Sequence, residues 1–280
     1  MDIRTTRREL IGGAAAAMAA LRTAGAATTP ATHSEDLKLG VASYSFRKFS
    51  RADAIKGILA LNVSYVNVKD FHLAMKSTPD EIAAAKKDFE DAGIKILGVG
   101  NVSFAKNDES EMKRNFEYAK QLGAPLIVMA PTMETLPFIE KMVKEYNIKA
   151  AIHNHGPEDK HFPSPESVLS AVKNMDPRMG LCMDIGHSVR AGSDIIAAAK
   201  EAGPRLHDMH VKDLKNLSDK DSQVPVGDGV IPIVALFKQL KKMNYKGGVM
   251  LEYEVQADAP LPGMQKSFAY MRGVLDGLKG

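Results

Sequence analysis

Between residues 39 and 252, short apolar runs alternate with segments of helical periodicity, which limits the chain to a few architectures. The runs cover 39–44, 65–69, 95–102, 125–130, 149–155, 180–184, 206–212 and 248–252. Each is nearly continuous in apolar residues, as expected of strands buried on both faces of a parallel sheet. Segments 80–92, 109–122, 132–146, 164–174, 231–243 and 264–278 carry helical spacing. Thr78-Pro79-Asp80-Glu81 and Ser164-Pro165-Glu166 read as helix starts, and Gly93 and Gly123 as stops just before a strand. Eight strand–helix units at roughly 26–30-residue spacing predict an α/β fold, a single (β/α)8 TIM barrel over residues 38–280. A doubly wound open sheet is the rival, but no Gly-x-Gly-x-x-Gly follows the first strand.

The first 26 residues read as a targeting segment. Arg7 and Arg8, in Thr-Arg-Arg-Glu-Leu-Ile, resemble a twin-arginine export signal, and an Ala-rich apolar run follows. That run is too short to span a bilayer comfortably, so no stable membrane association is expected. Small residues at Ala24-Gly25-Ala26 offer a cleavage site, and a Thr/Pro/Ala linker occupies 27–37. An uncleaved N-terminal helix is the plainer alternative; the linker and the lack of acidic residues in the run favour the signal. The resemblance implies a periplasmic or otherwise exported protein. It also implies a substrate without phosphate, because sugar phosphates are scarce outside the cytoplasm.

The formal net charge is +3, and the signal carries four arginines against two acids. The mature chain is therefore close to neutral, with no electrostatic footprint for nucleic acid. No tryptophan is present, which argues against a lectin-like module that grips sugars by stacking. The lone cysteine, Cys182, lies inside an apolar strand; it excludes an intrachain disulfide and reads as packing rather than as a metal ligand.

Active sites of such barrels lie at the C-terminal ends of the strands. Those ends read Ser43-Tyr44-Ser45, Lys69-Asp70, Asn101, His153-Asn154-His155, Asp184 with His187, His210 with Lys212, and Glu252 with Glu254. His153, Asp184, His210 and Glu252 end the fifth to eighth strands. Neighbouring barrel strands lie about 5 Å apart, so these four can converge on one divalent ion. Mixed imidazole and carboxylate ligands suit Mn, Zn, Fe or Co, and an oxygen-rich site suits Mg. Singly, a strand-end His is more often a satisfied structural residue, and a strand-end Asp often caps the next helix. Four at successive ends resist that explanation.

Met183-Asp184-Ile185-Gly186-His187, His210-Val211-Lys212-Asp213, Gly227-Asp228-Gly229-Val230-Ile231 and Leu251-Glu252-Tyr253-Glu254 resemble the xylose isomerase-like barrel superfamily. Within it the chain is similar to the sugar phosphate isomerase/epimerase group. The resemblance implies a metal-dependent enzyme that removes a proton next to a carbonyl and stabilises the enediolate with the ion. It implies a ligand set of Glu, Asp, His and Glu, matched at Asp184, His210 and Glu252. The fourth position departs, because the fifth strand offers His153. That substitution argues against a symmetric two-base epimerase and leaves room for one-base isomerisation, elimination or hydration.

The resemblance implies that Glu252 is both ligand and proton shuttle; His155 is a second candidate base, and Lys69 and Lys212 are candidates to hold or protonate a substrate oxygen. The plain alternative pairs these lysines with Asp70 and Asp213. The resemblance implies that His187 contacts substrate oxygens, and Asn101 is expected to bind substrate as well. Glu254 is expected to do the same or to fix a ligand histidine, with a solvated carboxylate as its alternative. Glu158 and His161 carry no assigned role. The leading function is a sugar isomerase or epimerase acting on a small carbohydrate. The rival is a lyase or hydratase of a keto sugar or 3-keto glycoside. An apurinic-type nuclease is opposed by the neutral charge, and a non-catalytic sugar-binding protein by the convergent ligands. A homo-oligomer stays open.

Overall fold

All eight apolar runs become strands. In the computed structural model, which describes residues 37–279, they form a closed parallel barrel. The expected signal and nearly all of the linker lie outside the described residues. The first half runs β1 (Lys38–Ala42), α1 (Arg51–Ala60), β2 (Tyr65–Val68), α2 (Pro79–Asp91), β3 (Lys95–Phe104), α3 (Glu109–Leu122), β4 (Leu126–Pro131) and α4 (Leu136–Tyr146). The second continues with β5 (Lys149–His153), α5 (Pro165–Val172), β6 (Met179–Asp184), α6 (Ile185–Arg190), α7 (Ile195–Ala202) and β7 (Leu206–Val211). A small hairpin of β8 (Asp213–Leu214) and β9 (Gln223–Val224) precedes α8 (Ile233–Lys242), β10 (Gly248–Leu251) and α9 (Leu261–Gly277). The barrel order is β1-β10-β7-β6-β5-β4-β3-β2.

The helices form where the sequence signals them. Thr78 accepts from the Glu81 N–H while the Glu81 carboxylate accepts from the Thr78 N–H, a reciprocal cap for α2. Ser164 and Ser167 do the same for α5. Gly123 closes α3 at φ 78°, a left-handed conformation that costs a residue with a side chain about 1 kcal/mol. Each helix then buries an apolar face on the barrel; Ile58, Phe89, Phe116, Phe237 and Phe268 are fully buried. Such side chains each contribute on the order of 2 kcal/mol. Among the described residues, no helix is long and apolar enough to cross a membrane.

Three helices escape the sequence periodicity: α1, α6 and α7. The first two are short and interrupted by Gly57 and Gly186, and a Cβ on Gly57 would meet the Phe46 ring at 2.6 Å. Helix α4 begins at Leu136 rather than at 132. There the Thr135 hydroxyl accepts the Thr132 N–H and donates to the Thr132 carbonyl, holding the segment in a turn. Several strands end one or two residues early, so Lys69, His155, Lys212 and Glu252 stand on the first turns beyond them, at the barrel mouth.

At the opposite end, His207 is 6% exposed, and its Nε2 lies 3.2 Å from the Pro177 carbonyl. A carbonyl only accepts, so Nε2 carries the proton and the partnerless Nδ1 stays bare. Burial, aided by Lys149, pushes this imidazole down to about 4 from its ordinary 6.5. The folded chain thus takes up this proton less readily than the unfolded one. The associated stability is complete above about pH 6.5 and lost as pH falls toward 4, on the order of 3 kcal/mol at most. His207→Gln, whose amide can still donate to Pro177, is expected to flatten the decline in Tm between pH 7 and 4.5. Parallel declines in both proteins would exclude His207 as the acid-sensitive group.

Candidate metal centre and active site

Consecutive strands bring His153, Asp184, His210 and Glu252 together, the set expected from the strand ends. One ligand atom from each lies within 4.8 Å of all the others, and all four side chains are buried. His153 Nε2 is 2.9 Å from His210 Nδ1 and 3.5 Å from Asp184 Oδ2. His210 Nδ1 is 3.2 Å from Glu252 Oε2. Two imidazole nitrogens this close share one proton or face one cation. Asp184 Oδ2 is buried and makes no well-directed hydrogen bond, although the Lys212 ammonium stands 3.0 Å away. This N2O2 set fits a divalent cation.

Protonation states suit the same purpose. Burial holds the His153 imidazole well below its ordinary range, so its nitrogens are free of excess charge at neutral pH. Burial alone would raise Asp184, but Lys212, His187 and His153 outweigh it and hold the carboxyl well below the usual range. Glu252 behaves alike, with His210, Lys69 and Lys212 overcoming its burial. Ionised carboxylates and neutral imidazole are the forms that ligate metals.

Asp184 does two jobs. Oδ1 accepts the His187 N–H at 2.9 Å and caps α6, while Oδ2 faces the ligand group. The capping reading of a strand-end Asp therefore holds, and it leaves the second oxygen turned toward the other three candidate ligands. Asn154 braces it, accepting the Asp184 N–H and donating to the Asp184 carbonyl.

The lysines do not take the partners offered by sequence neighbours. Lys212 Nζ lies 3.0 Å from Asp184 Oδ2, 3.2 Å from Glu252 Oε2 and 2.6 Å from Glu254 Oε2, and Lys69 Nζ lies 3.3 Å from Glu252 Oε1. Burial disfavours the Lys212 charge, but these three carboxylates raise its pKa well above the ordinary value. Asp70 instead accepts the Met75 N–H, and Asp213 is committed to backbone amides. Gly186 makes the Lys212 position available, since a Cβ there would stand 2.6 Å from the lysine stem. Glu254 fixes Lys212 and not a ligand histidine, which corrects that expectation; its carboxylate is paired rather than merely solvated.

A cavity of about 300 Å³ borders the ligand group, lined by Tyr44, Lys69, Phe71, Asn101, His155 and His187 together with His153, Glu252 and Glu254. The Asn101 amide lies 3.0 Å from His155 Nε2. With the amide nitrogen as donor, Nε2 is the basic nitrogen, and Nδ1–H faces the Asp159 carboxylate at 3.4 Å. Burial, then His187, lowers the His155 pKa from its ordinary value. Arg190 Nη1 lies 3.2 Å from His187 Nδ1. A guanidinium only donates, so the His187 proton sits on Nε2. Arg190 also pairs with Glu158, which thereby acquires a supporting role. His161 stays outside the cavity lining. Ser43 and Ser45 accept the backbone N–H groups of Lys69 and Tyr253 and hold strand ends in place.

Arg190, Asp159 and Asp208 are supporting residues that the strand-end rule did not single out. Arg190 follows His187 by three positions, one helical turn, and Asp208 precedes His210 by two, the same strand face. Both spacings are legible. Asp159 depends on a loop whose path no periodicity encodes. Cys182 is buried as expected, its thiol 3.7 Å from Asp208 Oδ2. Burial pushes the Asp208 carboxyl up to about 6.

The model of the xylose isomerase-like TIM barrel family matches residues 58–274, and the chain belongs to that family. An inosose dehydratase of Mesomycoplasma hyopneumoniae is 30% identical over 156 residues, covering 48% of this chain and 51% of that protein. The chain spans about half the length of the curated relatives it matches. A solved structure from Parabacteroides distasonis superposes with a TM-score of 0.68 at 26% identity, over 85% of this chain and 99% of that one. The 3-keto-D-glucoside 4-epimerase of E. coli gives 0.71 at 14% identity over the same shares, a likeness of fold.

Proposed function

We propose that this chain is a divalent-metal-dependent sugar isomerase or epimerase that abstracts a proton next to a carbonyl of a non-phosphorylated carbohydrate. The observation that carries it is the four-ligand group set against a polar cavity that also presents two bases. An ion held by His153, Asp184, His210 and Glu252 would supply Lewis-acid stabilisation of the negative charge that develops as the proton leaves. Glu252, ionised and in the cavity wall, can take that proton, and so can the unprotonated Nε2 of His155 once the Asn101 amide that it accepts turns to the substrate. His187 Nε2–H and the Asn101 amide are donors for substrate hydroxyl or carbonyl oxygens. Lys212 and Lys69 hold the carboxylates in their ionised form. Lys69 is committed to Glu252, which leaves the cavity poorly furnished for a phosphate dianion.

A second reading, elimination or hydration on a keto sugar or 3-keto glycoside, is supported by His153, which leaves one carboxylate base where two would serve both faces of a substrate. A dehydratase among the relatives agrees with it. Free ketoses and 3-keto glycosides separate the two: an epimer supports the first, whereas an absorbing enone or released aglycone without epimer supports the second.

The protein purified from the exported fraction is expected to begin near Ala27, as a twin-arginine precursor would after cleavage, and to carry about one divalent ion per chain. His153→Ala is expected to lower metal occupancy at least about tenfold at equal metal exposure. Mass spectrometry and metal analysis check both. Full occupancy in the variant would remove His153 from the ligand set. An intact N-terminus found only in the cytoplasm would sink the export reading.

A further inference from the structure

Asp208 has no place in the ligand set, yet it is fully buried in a barrel interior that apolar residues could have filled. It stands two residues before His210 on β7, so both side chains point inward from one strand face. His210 turns Nδ1 toward the ligand group and Nε2 toward Asp208, whose Oδ2 is 3.9 Å away. Neither His210 Nε2 nor Asp208 Oδ1 has a hydrogen-bond partner.

The surroundings are shaped for this carboxylate. Asn67, on β2, donates its amide N–H to Asp208 Oδ2, and the Cys182 thiol approaches the same oxygen. Two glycines make the room: a Cβ on Gly98 would stand 2.9 Å from Asn67 Oδ1, and one on Gly248 would stand 2.8 Å from Asp208 Oδ1. Burying a carboxylate and an amide, each with one oxygen unsatisfied, is unfavourable relative to an apolar filling. Their cost argues for a role beyond packing.

From this geometry we infer that Asp208 is a positioning residue for His210: its carboxylate, 3.9 Å from Nε2, draws the imidazole proton to that side by charge and thereby fixes Nδ1 as the ligating nitrogen. The inference rests on the metal reading of the site. An imidazole that gives Nδ1 to a cation must carry its proton on Nε2, and a buried N–H is most stable facing a negative charge. Asp208 is the carboxylate that faces it. Asn67 acts one step further back, holding Asp208 against rotation.

The test needs no substrate. The wild-type protein, Asp208→Asn and Asn67→Ala are stripped of metal and titrated with Co²⁺ against a competing chelator, and the visible spectrum of the bound ion is recorded. Asp208→Asn is expected to bind Co²⁺ about 10–100-fold more weakly and to shift the bound-ion bands, at a temperature where the stripped protein is fully folded. Asn67→Ala is expected to shift both in the same direction by a smaller factor, and it keeps the test available if Asp208→Asn does not fold. Co²⁺ affinity and spectrum unchanged in the folded variants would overturn the positioning role alone. A wild-type protein that binds no Co²⁺ would overturn the metal reading and this inference with it.

Discussion

Replacing Glu252 by Gln is expected to slow exchange of the substrate α-proton with solvent on the order of 10³-fold or more. The amide cannot accept the proton as a base, and it ligates a cation more weakly than a carboxylate. Its electrostatic effect is as large. Glu252 Oε1 lies 3.3 Å from Lys69, and Oε2 lies 3.2 Å from both Lys212 and His210. Removing that charge leaves a buried ammonium, Lys69, without its ion pair, and breaking a buried pair from one side costs about 3–5 kcal/mol. Metal affinity and stability are therefore expected to fall together with rate. Deuterium incorporation in D2O, followed by NMR on the keto sugar that the wild type exchanges, reads the rate; metal titration reads the site. Exchange at the wild-type rate in metal-loaded Glu252→Gln would move the base to His155, whose Nε2 stands in the same cavity.

The barrel was legible because its signal is redundant. Eight apolar runs, each too short for a helix, had to be strands, and glycine or cap residues marked most junctions. The convergence of His153, Asp184, His210 and Glu252 was legible for a related reason: strand ends are fixed points of the fold, so these four could be placed without knowing any loop. What failed was pairing. Lys212 has Asp213 as its sequence neighbour, but neighbours at a strand end point in different directions, and the ammonium reaches across to Asp184, Glu252 and Glu254. Glu254 was expected to bind substrate, to fix a ligand histidine or to stand in solvent; it lines the cavity and its pairing with Lys212 completes that charge cluster. Asp208 was overlooked for a different reason. It lies one pleat below the strand end, where the alternation rule pointed inward but attention to strand ends alone did not reach. The loop that delivers Asp159 to His155 has no period to read at all.

Asp213→Asn is expected to be the most destabilising isosteric change in the described chain outside the ligand group, lowering Tm on the order of 10 °C. Its Oδ1 accepts the N–H groups of Leu214 and Ile231 at 2.9 and 3.1 Å, and its Oδ2 those of Gly227 and Gly229 at 2.9 and 3.0 Å. One buried carboxylate thus organises the loop from Gly227 to Ile231 and explains the shape of that motif. Gly227 has φ 99°, and a Cβ on it would strike the Tyr270 ring at 2.5 Å; a Cβ on Gly229 would meet Asp213 Oδ1 itself at 2.1 Å. An asparagine must turn its NH2 toward one pair of these donors. Two charge-assisted hydrogen bonds are lost and two N–H groups face a donor, at about 1.5–3 kcal/mol for each bond. For a chain of this size each kcal/mol lowers Tm by about 2–4 °C. Thermal unfolding of the metal-free protein measures the effect without interference from ligand binding. The motif then serves the site indirectly: Asp213 anchors the turn in which Lys212 points back at the ligand carboxylates, so the variant is also expected to loosen Lys212. A Tm within about 2 °C of the wild type would mean that the loop is held by its apolar residues, Val226 and Ile231, and that the carboxylate only follows.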